Sequence, residues 1–198
     1  MTGSPGAPGA AGAPPAGSWA APVVVRTPAT SANLGPGFDA LGLALGLYDE
    51  VEAQVIASGL RIEVSGFGAH TASMGERHLV VRAMRQAFDA LGGQPPGLAL
   101  RCTNAIPHGF GLGSSAAGVV AGLLAARALA GERGTALCDE AVLALAAGFE
   151  GHADNAAACL AGGLTIAWSA SRAGDSVRWL RLEPLPGLIP VLCVPAVP

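Results

Sequence analysis

A glycine-rich loop in the middle of the chain is the segment best suited to chemistry. Gly109, Gly111 and Gly113 alternate in the run PHGFGLG, directly before two serines. Without a Cβ at these positions, backbone N–H groups can close on an anion, and a helix beginning at Ser114 would add the positive end of its dipole. The pattern predicts an anion site. The structural alternative is a glycine-rich connector that leads into a serine-capped helix.

Two common phosphate-binding motifs do not fit this loop. The spacing G-x-G-x-x-A imitates a dinucleotide fingerprint, which also needs an acidic residue at the end of a following strand. Here the next acidic residue, Glu132, falls in a turn between two predicted helices. A Walker loop needs a lysine, and all 11 basic residues of this chain are arginines. The remaining prediction is a loop that holds a triphosphate by backbone amides, with serine hydroxyls available to Mg²⁺.

The elements that must position this loop follow from the hydrophobic periodicity. Apolar or alternating runs predict strands, and apolar residues at intervals of three and four predict an amphipathic helix at 78–93. The order of strands first and then helices alternating with strands predicts an α+β fold with helices on one face of the sheet. Strands are predicted at 23–27, 41–55, 60–66, 97–106, 164–170, 177–184 and 188–195, and further helices from Ser114, from about Thr135 to Phe149, and at 155–163.

Composition limits the class of protein. The 198 residues carry a net charge of −3, with 51% hydrophobic and 13% charged side chains, which gives no support for binding nucleic acid or an anionic membrane. The four cysteines form no C-x-x-C pair, so neither a zinc site nor a disulfide framework is indicated. The opening residues show no signal-peptide pattern, and a cytoplasmic location follows by default. Residues 1–21, rich in Ala, Gly and Pro, are predicted to be a disordered tail.

Three segments carry a family resemblance. PHGFGLGSSAA resembles the central phosphate-binding motif of the GHMP small-molecule kinases, P-x-x-x-G-L-G-S-S-A. RTPATSANLGPGFDALGLAL and EGHADNAAACLAGGL resemble the substrate motif and the acidic segment of homoserine kinases in particular, and the three together cover 23–164. The resemblance implies a ribosomal-protein-S5-domain-2-like N-terminal domain at 22–170. Residues 171–198 would then begin a truncated, ferredoxin-like C-terminal domain.

The resemblance also implies how ATP and Mg²⁺ are held. Ser115 and Glu150 would be the Mg²⁺ ligands, although from the sequence alone Glu150 is equally an ordinary exposed carboxylate at a helix end. His78 stands where the family more usually has an Asn that reaches the nucleotide, and an imidazole can still donate one hydrogen bond. The nucleotide-binding residues would be Pro107, His108, Gly109, Phe110, Gly111, Leu112, Gly113, Ser114, Ser115, Ala116 and Ala117.

Substrate and catalytic residues follow from the other two motifs. Asn33 and Asp39 would contact the amino alcohol, with Asp39 paired to its ammonium; the alternative is an Asx-rich turn in which both satisfy local backbone groups. Asn155 would lie beside the reacting hydroxyl, so that Asn155, Ser115 and Glu150 form the catalytic set. Because an Asn cannot take a proton, the hydroxyl proton would pass directly to phosphate, unless Asp154 or His152 serves as a base.

The expected activity is ATP-dependent phosphorylation of the homoserine hydroxyl, in threonine synthesis. Ala29 and Thr30 follow Pro28 where mevalonate-type and galactose-type relatives have a Lys or Arg, which favours homoserine kinase over another GHMP kinase. The family's carboxylate-binding Arg and C-terminal glycine motif are missing, so a catalytically impaired ATP-binding fragment is the main alternative, and a purely structural module is the weakest. The resemblance also suggests a homodimer.

Overall fold

The computed structural model describes residues 19–72, 74–169, 177–187 and 189–194. These residues form a sheet and a set of α-helices, joined in places by 3₁₀ turns. In chain order the elements are β1 (Val23–Leu34), β2 (Gly37–Val55), β3 (Gly59–Gly66), α1 (Leu79–Ala90), β4 (Gly97–Asn104), α2 (Ser114–Leu129), α3 (Asp139–Glu150), α4 (Asp154–Ala161), β5 (Leu164–Ser169) and β6 (Val177–Leu182).

Strand β2 organises the sheet because it is long enough to pair with three neighbours. One edge of β2 runs antiparallel to β1 from the pair Val23 and Ala53 to the pair Leu34 and Gly37. The other edge pairs with β4 over 50–55 and with β5 over 41–43. Strand β3 adds parallel to β4, and β6 adds antiparallel to β5. The alternation in 41–55 and 60–66 predicts antiparallel strands of a half-buried sheet. This is confirmed for β2, but the direction is wrong for β3, which is parallel to β4.

The helices cover one face of this sheet, as predicted. Helix α2 packs against α1, α3, β1 and β2, and α4 packs against β1, β2 and β5. The opposite face carries charged side chains, among them Arg101, which pairs with Glu52 and Glu63. Phe88, Met84, Leu98, Ile106, Leu123 and Leu129 are the largest fully buried side chains of the core between sheet and helices.

Small residues in α2 allow the helices to approach closely. Ten of the sixteen residues of α2 are buried, and most of them are Ala, Gly or Val. A Cβ on Gly122 would lie 2.5 Å from the carbonyl oxygen of Val80 and 2.8 Å from the Cβ of Ala83. Neither distance is compatible with the present packing of α1 on α2, so this helix pair requires glycine at position 122.

The last predicted strand is wrong. Residues 189–194 have no strand structure, and the side chains of Ile189 and Val191 are more than four-fifths exposed. An apolar β-branched run is only half of what a strand needs, because its backbone groups must also pair with a neighbouring strand. Pro190 lacks the N–H that such a ladder would use. Leu188 and Pro195, the ends of the predicted strand, lie outside the described residues.

Several predicted boundaries also shift. Strand β1 runs on to Leu34, although the apolar run predicted only 23–27. Helix α3 begins at Asp139, not near Thr135, because Gly131–Ala136 forms a 3₁₀ turn first. At the N-terminus, the Trp19 ring packs edge-on against Phe88, and the Ala20 N–H donates to the carbonyl of Leu129. Residues 19–21 therefore lie on the folded domain, although composition assigned them to the tail. Residues 1–18 of that predicted tail lie outside the described residues.

The two C-terminal strands extend the same sheet. Val177, at the start of β6, is buried in the core that the helices share with β2 and β4. The predicted boundary between an N-terminal domain and a second domain at residue 171 stays a prediction. Among the described residues, no helix has both the length and the apolar character needed to cross a membrane.

The packing at Gly122 yields a stability test. Replacing Gly122 with Ala should lower the free energy of unfolding by about 1–3 kcal/mol, because the new methyl group forces α1 away from α2. Gly148 in α3 is the matched control, since a Cβ there meets nothing within 4 Å; Gly148→Ala should stabilise the protein by up to about 1 kcal/mol. Urea unfolding measures both. Equal stabilities for the two variants would contradict the close helix contact.

Candidate active site at the glycine loop

The glycine loop connects β4 to α2 with three left-handed residues. Gly109, Gly111 and Gly113 have φ angles of 83°, 70° and 67°, a conformation that costs other residues about 1–2 kcal/mol. Gly113 occupies the N-cap position of α2 and provides no side-chain hydrogen bond. The helix boundary at Ser114 is thus as predicted, but the expected serine cap is wrong. The first N–H groups of α2 lack the side-chain acceptor that a Ser cap would supply.

Ser115 is turned toward a carboxylate. Its Oγ donates a hydrogen bond of 2.6 Å to Oε1 of Glu150, the last residue of α3. The positive φ of Gly151 ends α3 directly after Glu150, so the carboxylate lies beside the first turn of α2. A hydroxyl and a carboxylate oxygen at this separation are hard oxygen donors of the kind Mg²⁺ accepts. The two predicted metal ligands are therefore adjacent, 35 residues apart in the chain.

Asn155 lies next to both Thr30 of β1 and Gly113 of the loop. Thr30 Oγ1 donates to Asn155 Oδ1 over 2.7 Å, and the Thr30 backbone N–H donates to the carbonyl of Leu112 in the loop over 3.0 Å. A Cβ on Gly113 would overlap the Thr30 hydroxyl and lie 3.2 Å from Asn155 Oδ1. The predicted catalytic amide is thus in contact with the start of the helix that carries Ser115.

Asp154 and His152 form a second group at the start of α4. Asp154 is fully buried, and its Oδ1 accepts the Asn155 backbone N–H over 2.7 Å and lies 2.6 Å from His152 Nδ1. The other oxygen, Oδ2, is buried without a hydrogen-bond partner among the described residues. The carboxylate fixes the first turn of α4, and with it the backbone of Asn155.

Asn33 and Asp39 lie at the turn between β1 and β2. Both adopt positive φ angles, 57° and 56°, and Asn33 Oδ1 accepts the backbone N–H of Asp39 over 2.9 Å. This bond matches the Asx-turn alternative for Asn33, but it leaves the Asp39 carboxylate on the surface. A few residues further along β2, Gly42 lies directly against the backbone carbonyl of Asp154. The turn is therefore at the end of the sheet where α4 begins.

Asp49 supports the loop, and the sequence interpretation missed it. Its Oδ1 accepts the backbone N–H groups of Ala105 and Ile106 over 2.7 and 2.9 Å, directly before the loop. Burial raises the pKa of the Asp49 carboxyl, and the two N–H donors act in the opposite direction. Val51 and Ala53 are buried on the same face of β2, so strand parity alone could have placed Asp49 inside.

A cavity of about 200 Å³ lies beside the loop. Its walls include the buried His78 at the start of α1, whose Nδ1 has no hydrogen-bond partner among the described residues. Burial lowers the pKa of His78, which favours the neutral imidazole. The other lining residues are Asp49, Ala72, Arg77, Leu79, Val80, Asn104, His108, Ser114 and Gly118. The cavity opens next to the helix that would receive the phosphates.

Together these groups can bind an elongated anion and a metal ion. The loop and the α2 N-terminus attract negative charge, and Ser115 with Glu150 lies within one helical turn of them. The cavity at His78 adds a partly apolar compartment at the same edge. Asn155 lies beside Gly113, in contact with Thr30. This arrangement suits transfer of a phosphoryl group from a nucleotide.

Comparison with known proteins identifies the class. Residues 78–163 match the family model described as GHMP kinases N terminal domain. That range holds the glycine loop, Ser115, Glu150 and Asn155. These residues are similar to the N-terminal domain of GHMP kinases, and the predicted α+β fold is confirmed.

Within the family, the relatives found at high identity are homoserine kinases. The chain is 56% identical over 179 residues to homoserine kinase of Streptomyces coelicolor, a match that covers 90% of this chain and 57% of that protein. It is 49% identical over 160 residues to homoserine kinase of Mycolicibacterium vanbaalenii, covering 79% of this chain and 51% of that protein. The chain thus spans about half the length of the curated relatives it matches.

Solved structures give the same picture. Homoserine kinase from Cytophaga hutchinsonii superposes with a TM-score of 0.68 at 32% identity, covering 81% of this chain and 51% of that one. Mevalonate kinase from Methanococcus jannaschii superposes with a TM-score of 0.57 at 18% identity, covering 86% of this chain and 57% of that one. The second likeness concerns the fold alone.

The buried His78 yields a pH-dependence test. Because its pKa is lowered in the folded protein, the unfolded chain takes up the proton first as the pH falls. The stability that neutral His78 contributes is present above about pH 6.5, and it is lost as the pH falls from there toward the lowered pKa. Between pH 7.5 and pH 5, the free energy of unfolding should therefore fall less in His78→Gln than in the wild type. Parallel curves for variant and wild type in urea unfolding would contradict this assignment.

Proposed function

We propose that this chain carries the ATP and substrate site of a homoserine kinase, which transfers the γ-phosphoryl group of ATP to the side-chain hydroxyl of homoserine. The observation that supports this most directly is the convergence of three predicted groups at Gly113: the loop, the Ser115 and Glu150 pair, and Asn155. The high identity to homoserine kinases points to the substrate. The activity would serve threonine synthesis.

The nucleotide would lie across the loop. Its phosphates would receive hydrogen bonds from loop residues 107–113 and from the first N–H groups of α2, where backbone donors and the helix dipole act together. Its adenosine would enter the cavity at His78. The Nδ1 of His78, which has no hydrogen-bond partner within the described part of the chain, would make one hydrogen bond to it. Asp49 would hold the loop in place by accepting the N–H groups of Ala105 and Ile106, which lie between β4 and the loop.

Mg²⁺ fits the donor set at Ser115 and Glu150. The two protein oxygens lie 2.6 Å apart, and both residues are at least partly exposed. The remaining coordination positions would be taken by phosphate oxygens and water, which is the usual arrangement for Mg²⁺ in kinases. When bound, the ion would neutralise charge on the β- and γ-phosphates. The hydrogen bond between Ser115 and Glu150 holds both donors toward the same side of α2.

Homoserine would be held at the turn between β1 and β2. The exposed Asp39 carboxylate would pair with its ammonium, and Asn33, whose Oδ1 already accepts the Asp39 N–H, would offer its Nδ2. The homoserine hydroxyl would then face Asn155, because this turn and α4 lie at the same end of the sheet.

Proton transfer would not need a protein base. The hydroxyl oxygen bonds to the γ-phosphorus, the bond from that phosphorus to the β–γ bridging oxygen breaks, and ADP leaves. The hydroxyl proton passes to an oxygen of the transferred phosphoryl group. Asp154 is a poor base because its side chain is fully buried and already bonded to the Asn155 N–H. Positioning and charge stabilisation supply most of the catalysis in such reactions.

The activity is tested by a coupled ADP-release assay on this chain. ADP release that depends on homoserine is expected, and Asp39→Asn should raise KM for homoserine about tenfold or more with KM for ATP unchanged, because the charge-assisted bond to the ammonium is lost. Glu132→Gln, on an exposed turn, is the charge-matched control. ATP binding without turnover would favour the ATP-binding alternative, and no ATP binding would contradict the phosphate loop.

The metal site is tested separately by calorimetry. Glu150→Gln should weaken binding of Mg-ATP by about tenfold or more while leaving binding of metal-free ATP unchanged, because a carboxylate ligand is replaced by a weaker neutral one. Glu140→Gln removes an exposed carboxylate from the other end of α3 and should behave as wild type. If both variants retain the wild-type dependence on Mg²⁺, Glu150 is not a ligand. The homodimer and the cytoplasmic location stay predictions.

A further inference from the structure

Thr30 lies where β1, the glycine loop and Asn155 meet. It is fully buried in β1, and its hydroxyl donates to Asn155 Oδ1 over 2.7 Å across 125 residues of chain. Its backbone N–H bonds to Leu112 in the glycine loop. One residue therefore touches the strand, the loop and the amide that would lie beside the reacting hydroxyl.

The local backbone of β1 turns Thr30 toward this point. The pairing of β1 with β2 shifts register between Pro28 and Thr30, and Ala29 and Thr30 are both fully buried although they are consecutive. A regular strand would send one of these two side chains to the opposite face. Such irregularities commonly redirect a side chain next to a functional site.

Glycine at position 113 is what gives the Thr30 hydroxyl access to Asn155. A Cβ on Gly113 would overlap Thr30 Oγ1, so any other residue would displace the hydroxyl or the loop. The contact links the N-cap of α2 to the orientation of Asn155, because both depend on the same hydroxyl position.

We propose that Thr30 is a positioning residue that fixes Asn155 as a hydrogen-bond donor to the reacting oxygens. With Oδ1 accepting from Thr30, the free side of the Asn155 amide is its NH₂ group. Nδ2 lies 3.5 Å from Asp154 Oδ1, and its second N–H is left for an oxygen of the substrate. The amide then stabilises negative charge on the reacting oxygens and does not accept the hydroxyl proton. This inference rests on the proposed kinase function.

The kinetic test compares three variants of β1. Thr30→Val keeps the shape but removes the hydroxyl; we expect kcat to fall about tenfold to a hundredfold, the range for loss of one oriented hydrogen bond, with both KM values within about threefold of wild type. Thr30→Ser should restore kcat to within about threefold. Thr27→Val is the matched control, because Thr27 is buried in the same strand and its hydroxyl has no partner among the described residues. It should keep the wild-type kcat.

A spectroscopic test does not depend on turnover. The side-chain NH₂ signals of Asn155, identified in the ¹H–¹⁵N spectrum by their loss in Asn155→Asp, should shift in Thr30→Val and stay in place in Thr27→Val. Unchanged Asn155 signals and kcat in Thr30→Val would overturn the proposal. Equal losses of kcat in the two valine variants, or no recovery with Thr30→Ser, would also overturn it. If the wild-type chain shows no turnover, the proposed function fails for this chain, and the NH₂ signals alone decide the role of Thr30.

Discussion

The pairing of β2 with its neighbours on both edges is the constraint on which the site depends. One edge of this 19-residue strand belongs entirely to β1, and the other is divided between β4 and β5. The glycine loop leaves the end of β4, α4 leads into β5, and Thr30 lies on β1. Their relative positions are therefore set by the hydrogen-bond register of a single strand. A slip of one residue would reverse the faces of all its side chains, Asp49 included.

The features that could be predicted from the sequence are those that depend on neighbouring residues. The alternation in β2, the apolar stripe of α1 and the glycine-to-serine boundary at Ser114 were all readable, because each depends on residues within a few positions of one another. The family resemblance then selected Ser115, Glu150 and Asn155 from otherwise ordinary polar residues. The structure brings Ser115 to Glu150 and Asn155 to the N-cap of α2, contacts that spacing alone does not reveal.

What the sequence did not show depends on distant partners. The register shift that turns Thr30 inward is a mismatch between two strands, β1 and β2. The hydrogen bond from Thr30 to Asn155 joins residues that are 125 positions apart in the chain. The strand predicted for 188–195 was wrong because it lacks such a distant partner in the part of the chain that the structure describes. Residues 189–194 have the composition of a strand, but their apolar side chains are exposed. The serine cap failed because Gly113 holds the N-cap position and Ser114 and Ser115 already lie in the first turn of α2.

Helix α2 has a consequence for how binding energy is used. Ten of its sixteen residues are buried against α1, α3 and the sheet, so the amide protons of these buried turns belong with the part of the molecule that exchanges with solvent only on global unfolding. The first turn, which faces the loop, continues directly into these buried turns and is therefore held in place before a ligand binds. When an anion binds there, little binding free energy is lost to ordering the protein. More of that free energy can therefore discriminate one phosphate geometry from another.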